Sequence, residues 1–203
     1  MTKAEIRTLV VSYLNRSDAT DALIDSFMVL GLRKINRKLT PWRIPAMRTK
    51  ITYTITDSPA SSVSIPSDFL SFDQLTVDDV PLTPVSIDEF RRRAYADGTC
   101  SVFTRDDAEY LIAGKVPVSS VVQLRYFGSF QDLTADTDTN ALTLFAPDVL
   151  MYAALEQAGI HFEHEDTPIW KGEFGEGLND IIEQAQALTE SEGSMEVVPL
   201  YTE

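Results

Sequence analysis

Apolar residues recur along this chain with two different periods, and the switch between them marks out helix-rich ends and a strand-rich centre. Near the start, Ile6, Leu9, Val10, Tyr13 and Leu14 fall at helical spacing behind Thr2 and Glu5, whose separation makes a capping box. The polar run from Asn15 to Asp18 interrupts that pattern with turn residues. A second helix is predicted from about residue 20 to residue 39, with Leu23, Ile24, Phe27, Leu30 and Ile35 on its apolar side. Asp21 and Asp25 open it, and Arg33, Lys34, Arg37 and Lys38 close it, so its charges complement the helix dipole. Pro41 ends it.

Beyond residue 50 the period falls to two. Ile51-Thr52-Tyr53-Thr54-Ile55-Thr56 alternates with β-branched residues, as a half-buried strand does, and Val63 and Ile65 are expected to continue it after a Ser-rich turn. Residues 69–77 predict a strand, Asp78-Asp79 a tight turn and Pro81-Leu82 a short return. Ser86 and Glu89 form a second capping box for a brief helix that ends in Arg91-Arg92-Arg93. Val102-Phe103, residues 110–113 and residues 121–127 predict three further strands. Strands in succession without long helices between them indicate an antiparallel sheet or small sandwich, not a parallel βαβ fold.

Helical spacing returns after a polar loop rich in Asp and Thr. Asp138-Thr139-Asn140-Ala141-Leu142 reads as a turn leading into a short apolar strand, and Pro147 as a first helical position. From Val149 to Leu155 the sequence is apolar nearly all round, which predicts a helix covered on most sides and reaching about residue 163. Ala153, Ala154 and Ala158 let neighbouring backbones come close. A last helix, capped at Thr167 with Pro168 in its first position, runs to about residue 190. Trp170, Phe174, Leu178, Ile181, Ile182, Ala185 and Leu188 make its stripe. The fold class expected is α+β. After residue 193, Val197, Val198, Leu200 and Tyr201 are too apolar for a purely solvating tail and read as an arm that docks on a partner.

Charge changes this picture more than composition does. With 203 residues and 44% hydrophobic content the chain has enough apolar surface for a core. Its net charge of −14 is unevenly spread: residues 1–50 hold ten Lys or Arg against four acids, whereas residues 129–203 hold sixteen acids against Lys171 alone. A chain with one basic and one acidic end is suited to stacking copies of itself or to facing one neighbour with each sign. The acidic excess argues against nucleic-acid wrapping, because duplex affinity comes mainly from neutralising phosphates. No stretch of eighteen uninterrupted apolar residues predicts a membrane span, and the amphipathic start is unlike a signal peptide. The single cysteine, Cys100, has no intrachain disulfide partner and is expected to be a buried thiol, in keeping with assembly in a reducing cytoplasm.

Candidate chemistry is sparse. Asp136-Thr137-Asp138-Thr139-Asn140 opens like a calcium loop, but Ala141 stands where Gly is needed and Pro147 where a bidentate Glu is needed, so Asx-type turns are the better reading. His161 and His164 sit three apart at a predicted helix end, and sequence offers no third ligand for a metal. Gly172, Gly175 and Gly177 superficially resemble a dinucleotide fingerprint but lie inside a helix rather than after a strand. Each glycine there costs roughly 1 kcal/mol against Ala, so a compensating close contact is expected. With no nucleophile elbow, Walker loop or paired-Cys motif, the chain reads as a non-enzyme without a cofactor.

The ordered set Thr139-Asn140-Ala141-Leu142, Pro147, Tyr152-Ala153-Ala154-Leu155 and Ala158 resembles the head-to-tail adaptor (connector) proteins of short-tailed phages. Leu32-Arg33-Lys34-Ile35-Asn36-Arg37-Lys38-Leu39 is similar to that family's basic helix end, Ile65-Pro66-Ser67-Asp68-Phe69-Leu70 to its lead into the sheet, and Leu124-Arg125-Tyr126-Phe127 to the strand before its polar loop. The glycines of the last helix and the C-terminal tail depart from the pattern. The resemblance implies an α-helical bundle from residues 1–50 and 141–192, an antiparallel β-domain inserted within residues 51–140 together with the polar loop, and a docking tail at 193–203. It implies a homo-oligomeric ring in the virion neck, twelve copies by custom, between portal and tail or nozzle proteins. Genome DNA would pass through it without sequence-specific contact; a separate expectation, from charge, puts some of the acidic C-terminal surface on the channel wall. Arg33, Lys34, Arg37 and Lys38, with Val197, Val198, Leu200 and Tyr201, are the expected oligomer or portal contacts. The competing expectation is an acidic interaction protein, a host-factor inhibitor or DNA mimic.

Overall fold

The computed structural model describes residues 1–56, 60–93 and 101–193, with the backbone alone at residue 60 and at 189–193. In chain order the elements are α1 (Lys3–Leu14), α2 (Asp21–Leu39), strands β1 (Arg48–Thr54), β2 (Ala60–Ser64), β3 (Phe69–Val77), β4 (Val80–Pro81) and β5 (Thr83–Pro84), then α3 (Ile87–Arg93). Strands β6 (Val102–Asp106), β7 (Glu109–Val116) and β8 (Val121–Gly128) follow, and then α4 (Ala141–Phe145), α5 (Pro147–Phe162) and α6 (Thr167–Gly193). Contacts divide the chain into a helical unit, residues 1–47 and 130–203, and a unit inserted into it, residues 48–129. The fold is α+β.

In the helical unit, α5 is the central post, with α1, α2 and α6 all packed on it. Its all-round apolar sequence has this cause: Val149, Leu150, Ala153, Ala154, Leu155 and Ala158 are essentially without solvent. Small residues set the spacing. A Cβ added at Gly31 of α2 would stand 3.0 Å from the Ala153 Cβ and 3.1 Å from its carbonyl carbon, so the two helices meet backbone to side chain. Each fully buried leucine here contributes about 2 kcal/mol of transfer free energy. The Thr2–Glu5 capping box is present on α1, and Thr20 caps α2 through the Leu23 amide.

Residues 130–140, expected with the β-rich part, belong to the helical unit. The Lys3 amide donates to the Asp138 carbonyl at 3.0 Å, and Asn36 Oδ1 accepts from the Phe130 amide at 2.9 Å. The expected short apolar strand after Asn140 is instead the one-turn helix α4. Asn140 Oδ1 accepts from the Thr143 amide at 2.9 Å while Thr143 Oγ1 accepts from the Asn140 amide at 3.0 Å, and this reciprocal cap turns the chain helical. Thr167, expected as a cap, is already in the first turn of α6, where its hydroxyl donates to the His164 carbonyl at 2.6 Å.

The inserted unit consists of two four-stranded sheets, β1-β8-β3-β4 and β2-β7-β6-β5. All pairings are antiparallel except the two-residue β5, which runs parallel to β6. Val63 and Ile65 do not extend β1: Val63 pairs with Tyr110 in the other sheet, so the chain changes sheets between β1 and β2. The sheets share one core of Leu75, Val77, Val122 and Leu124 from the first against Val63, Phe103, Tyr110 and Ile112 from the second. Among its aromatic contacts, Phe72 and Phe103 have ring centroids 5.1 Å apart. In α3, Ser86 Oγ accepts from the Glu89 amide, one half of the expected box.

Candidate assembly surface

The Asp136–Asn140 turn is taken up internally: Asp138 Oδ2 accepts from the Thr134 and Ala135 amides and the Thr134 hydroxyl, at 2.8–2.9 Å. Those bonds, the Ala135 amide foremost, hold the Asp138 carboxyl below the usual carboxylate range. Asp136 accepts from Arg7 at 2.7 Å, and Arg7 also donates two bonds to Asp25, at 2.7 and 2.9 Å. Lys3 completes the group, with its ammonium 2.8 Å from Asp25 and 3.1 Å from the Thr134 carbonyl. These charges tie the loop to α1 and α2. His164 lies against the Trp170 ring and His161 against Phe27 and Phe162. Among the described residues no group of three or more His, Cys, Asp or Glu is arranged to hold a metal ion, and no helix is long and apolar enough to cross a membrane.

What the helical unit offers is surface of two signs. On α2, Arg33, Arg37 and Lys38 are exposed, and no described residue forms an ion pair with them. Lys34 behaves otherwise. Its ammonium pairs with Glu156 of α5, which is 5% exposed, and lies 4.7 Å from the centroid of the Phe174 ring. Lys34 is therefore a packing contact within the chain, since its position on α2 directs it between α5 and α6. Leu30, expected on the buried side, is 49% exposed on the turn before Arg33. Trp42 and Arg43, just past the helix end, are also exposed. Sequence gave no reason to single them out, because an aromatic after a proline stop reads as ordinary turn filling.

On α6 the inward stripe is as expected for Trp170, Phe174, Leu178, Ile181 and Ala185, while Ile182 is half-buried and Leu188 exposed. Glu173, Glu176, Asp180 and Glu183 are exposed. The three glycines part company. A Cβ on Gly177 would meet Val149 Cγ2 at 2.7 Å, so this glycine is required by the approach of α6 to α5. At Gly172 and Gly175 an added Cβ would meet nothing within 4 Å. Exposed apolar side chains elsewhere in the unit include Leu144 and Ile160. Val197, Val198, Leu200, Tyr201 and Cys100 lie outside the described residues.

Comparison with known proteins adds a family. A family model described as SU10 adaptor protein matches residues 1–197. No curated protein matches the chain.

Proposed function

Because the chain belongs to the SU10 adaptor protein family, and so is a phage head-to-tail adaptor, we propose that its copies close into a ring that joins the portal to the tail and extends the DNA channel. As a phage adaptor it is a structural component of the virion; the proposal puts it at the neck, with portal protein on one side and tail or nozzle proteins on the other. Twelve copies is the number the family resemblance suggests. The match over residues 1–197 carries this reading, since it spans both units.

Physical features support it. A ring needs two different faces per subunit, and the helical unit has exposed bases on α2 and exposed acids on α6. A channel for duplex DNA needs walls that do not bind phosphate, and a chain with net charge −14 repels a polyanion at range. Arg33, Arg37 and Lys38, with Val197, Val198, Leu200 and Tyr201, remain the proposed contacts to a neighbouring copy or to portal. Sizing the full chain alone and with purified portal rings tests the function: a stable complex of several copies per portal ring is the expected result. A chain that stays monomeric in both, while capturing a host protein in equal ratio, would instead favour the acidic-inhibitor reading.

A further inference from the structure

We propose that the outer face of α6 on one copy receives the basic end of α2 from the next copy. This rests on the ring reading above and specifies its subunit contact. By the 3.6-residue period, Ile169, Gly172, Glu176, Asp180 and Glu183 share the side of α6 opposite its buried stripe of Trp170, Phe174, Leu178 and Ile181. Ile169 is 60% exposed, and no described residue forms an ion pair with the three acids. On α2, Arg33 and Arg37 stand one turn apart beside exposed Leu30, with Trp42 and Arg43 just beyond the helix end. Both faces belong to the helical unit, and each combines charge of one sign with an exposed apolar residue.

Charge complementarity selects the occupant. Either face repels its own duplicate, so a two-fold pairing of like faces is disfavoured, whereas unlike faces attract and leave a free face of each sign at the ends. That is the pattern a closing ring requires. Gly172 adds a steric argument: a glycine inside a helix is unfavourable, and apart from its chain neighbours and its own helix backbone no described residue comes within 4 Å of the missing Cβ. A long guanidinium side chain from the next copy, reaching Glu176, is accommodated over that bare backbone.

The experiment measures copies of the full chain bound to purified portal rings at low ionic strength, by sedimentation velocity. The variants are Arg33→Glu with Arg37→Glu, Glu176→Lys with Glu183→Lys, and all four together. Each double is expected to lower the bound fraction by about tenfold or more, and the fourfold variant to recover most of it. Gly172→Ala is expected to raise the melting temperature of the free subunit while weakening assembly. Doubles that bind as well as wild type, a fourfold variant no better than either double, or Gly172→Ala assembling normally would overturn the contact and leave the ring intact. Normal assembly of the Glu176, Glu183 double with impaired DNA ejection would overturn it in favour of a channel wall. Wild-type chain that never assembles, with or without portal, would overturn the ring and the contact together.

Discussion

Glu156 sits on α5 among side chains that exclude water almost completely, and Lys34 is the cation that keeps it there. Removing one partner of such a pair leaves a charge without compensation. Lys34→Ala, which strands the Glu156 carboxylate in the interior, is therefore expected to cost about 3 kcal/mol, read as a fall in the urea midpoint without a change in slope. Asp25 gives a pH dependence. Burial pushes its carboxyl up, but the bonds from Arg7 and Lys3 outweigh that and hold it below its ordinary 3.8. A group lowered in the folded state contributes stability that is full above its ordinary value and lost as pH falls below it. Wild type should lose stability on acidification below about pH 4, and Asp25→Asn should start less stable and lose less over that interval. Tyr126 has the opposite sign: burial, then its bond to Asp68, pushes the phenol up to about 12, so its contribution holds below pH 10 and disappears between 10 and 12. Tyr126→Phe should remove a phenol ionising near pH 12 from an ultraviolet absorbance titration. None of these pairings was legible in sequence, because each joins residues brought together only by the tertiary fold; Lys34 and Glu156 are 122 positions apart.

At the scale of elements, periodicity and end signals were legible, and partners were not. Thr2 with Glu5 placed the start of α1 because a cap is a local bond, and the acids Asp21 and Asp25 marked the opening of α2. The turn at Asn140 was found but misread as leading to a strand, since five apolar-rich residues satisfy either period and the reciprocal bond with Thr143 decides. Asn140→Ala should cost about 1 kcal/mol, seen as a lower melting temperature. The glycines of α6 form a second pair of predictions. Gly177→Ala drives a methyl into Val149 and is expected to destabilise by about 2 kcal/mol, whereas Gly175→Ala meets open space and should stabilise by about 1 kcal/mol. The sequence expected a close contact for every one of the three; within the subunit only Gly177 has it.

For the whole molecule, the α+β class and the succession of helices, strands and helices were legible because the two hydrophobic periods do not overlap along the chain. The division near residue 130 was harder: the polar loop carries no period, and its attachment to the helices depends on Lys3, Arg7 and Asn36 far upstream. Having its helical unit split around an insertion also orders events in time. During synthesis α1 and α2 leave the ribosome long before α5, and at 5–20 residues per second the gap between Lys34 and Glu156 amounts to about ten seconds. Throughout that wait Ile24, Phe27 and Leu32 lack the post they finally cover, whereas the sandwich has all its strands once residue 128 has emerged, before α5 is made. Nascent chains with residues 1–140 clear of the ribosome but α5 still held back should accordingly show a protease-resistant sandwich beside digestible amino-terminal helices, and they should engage chaperones that release them once α5 emerges.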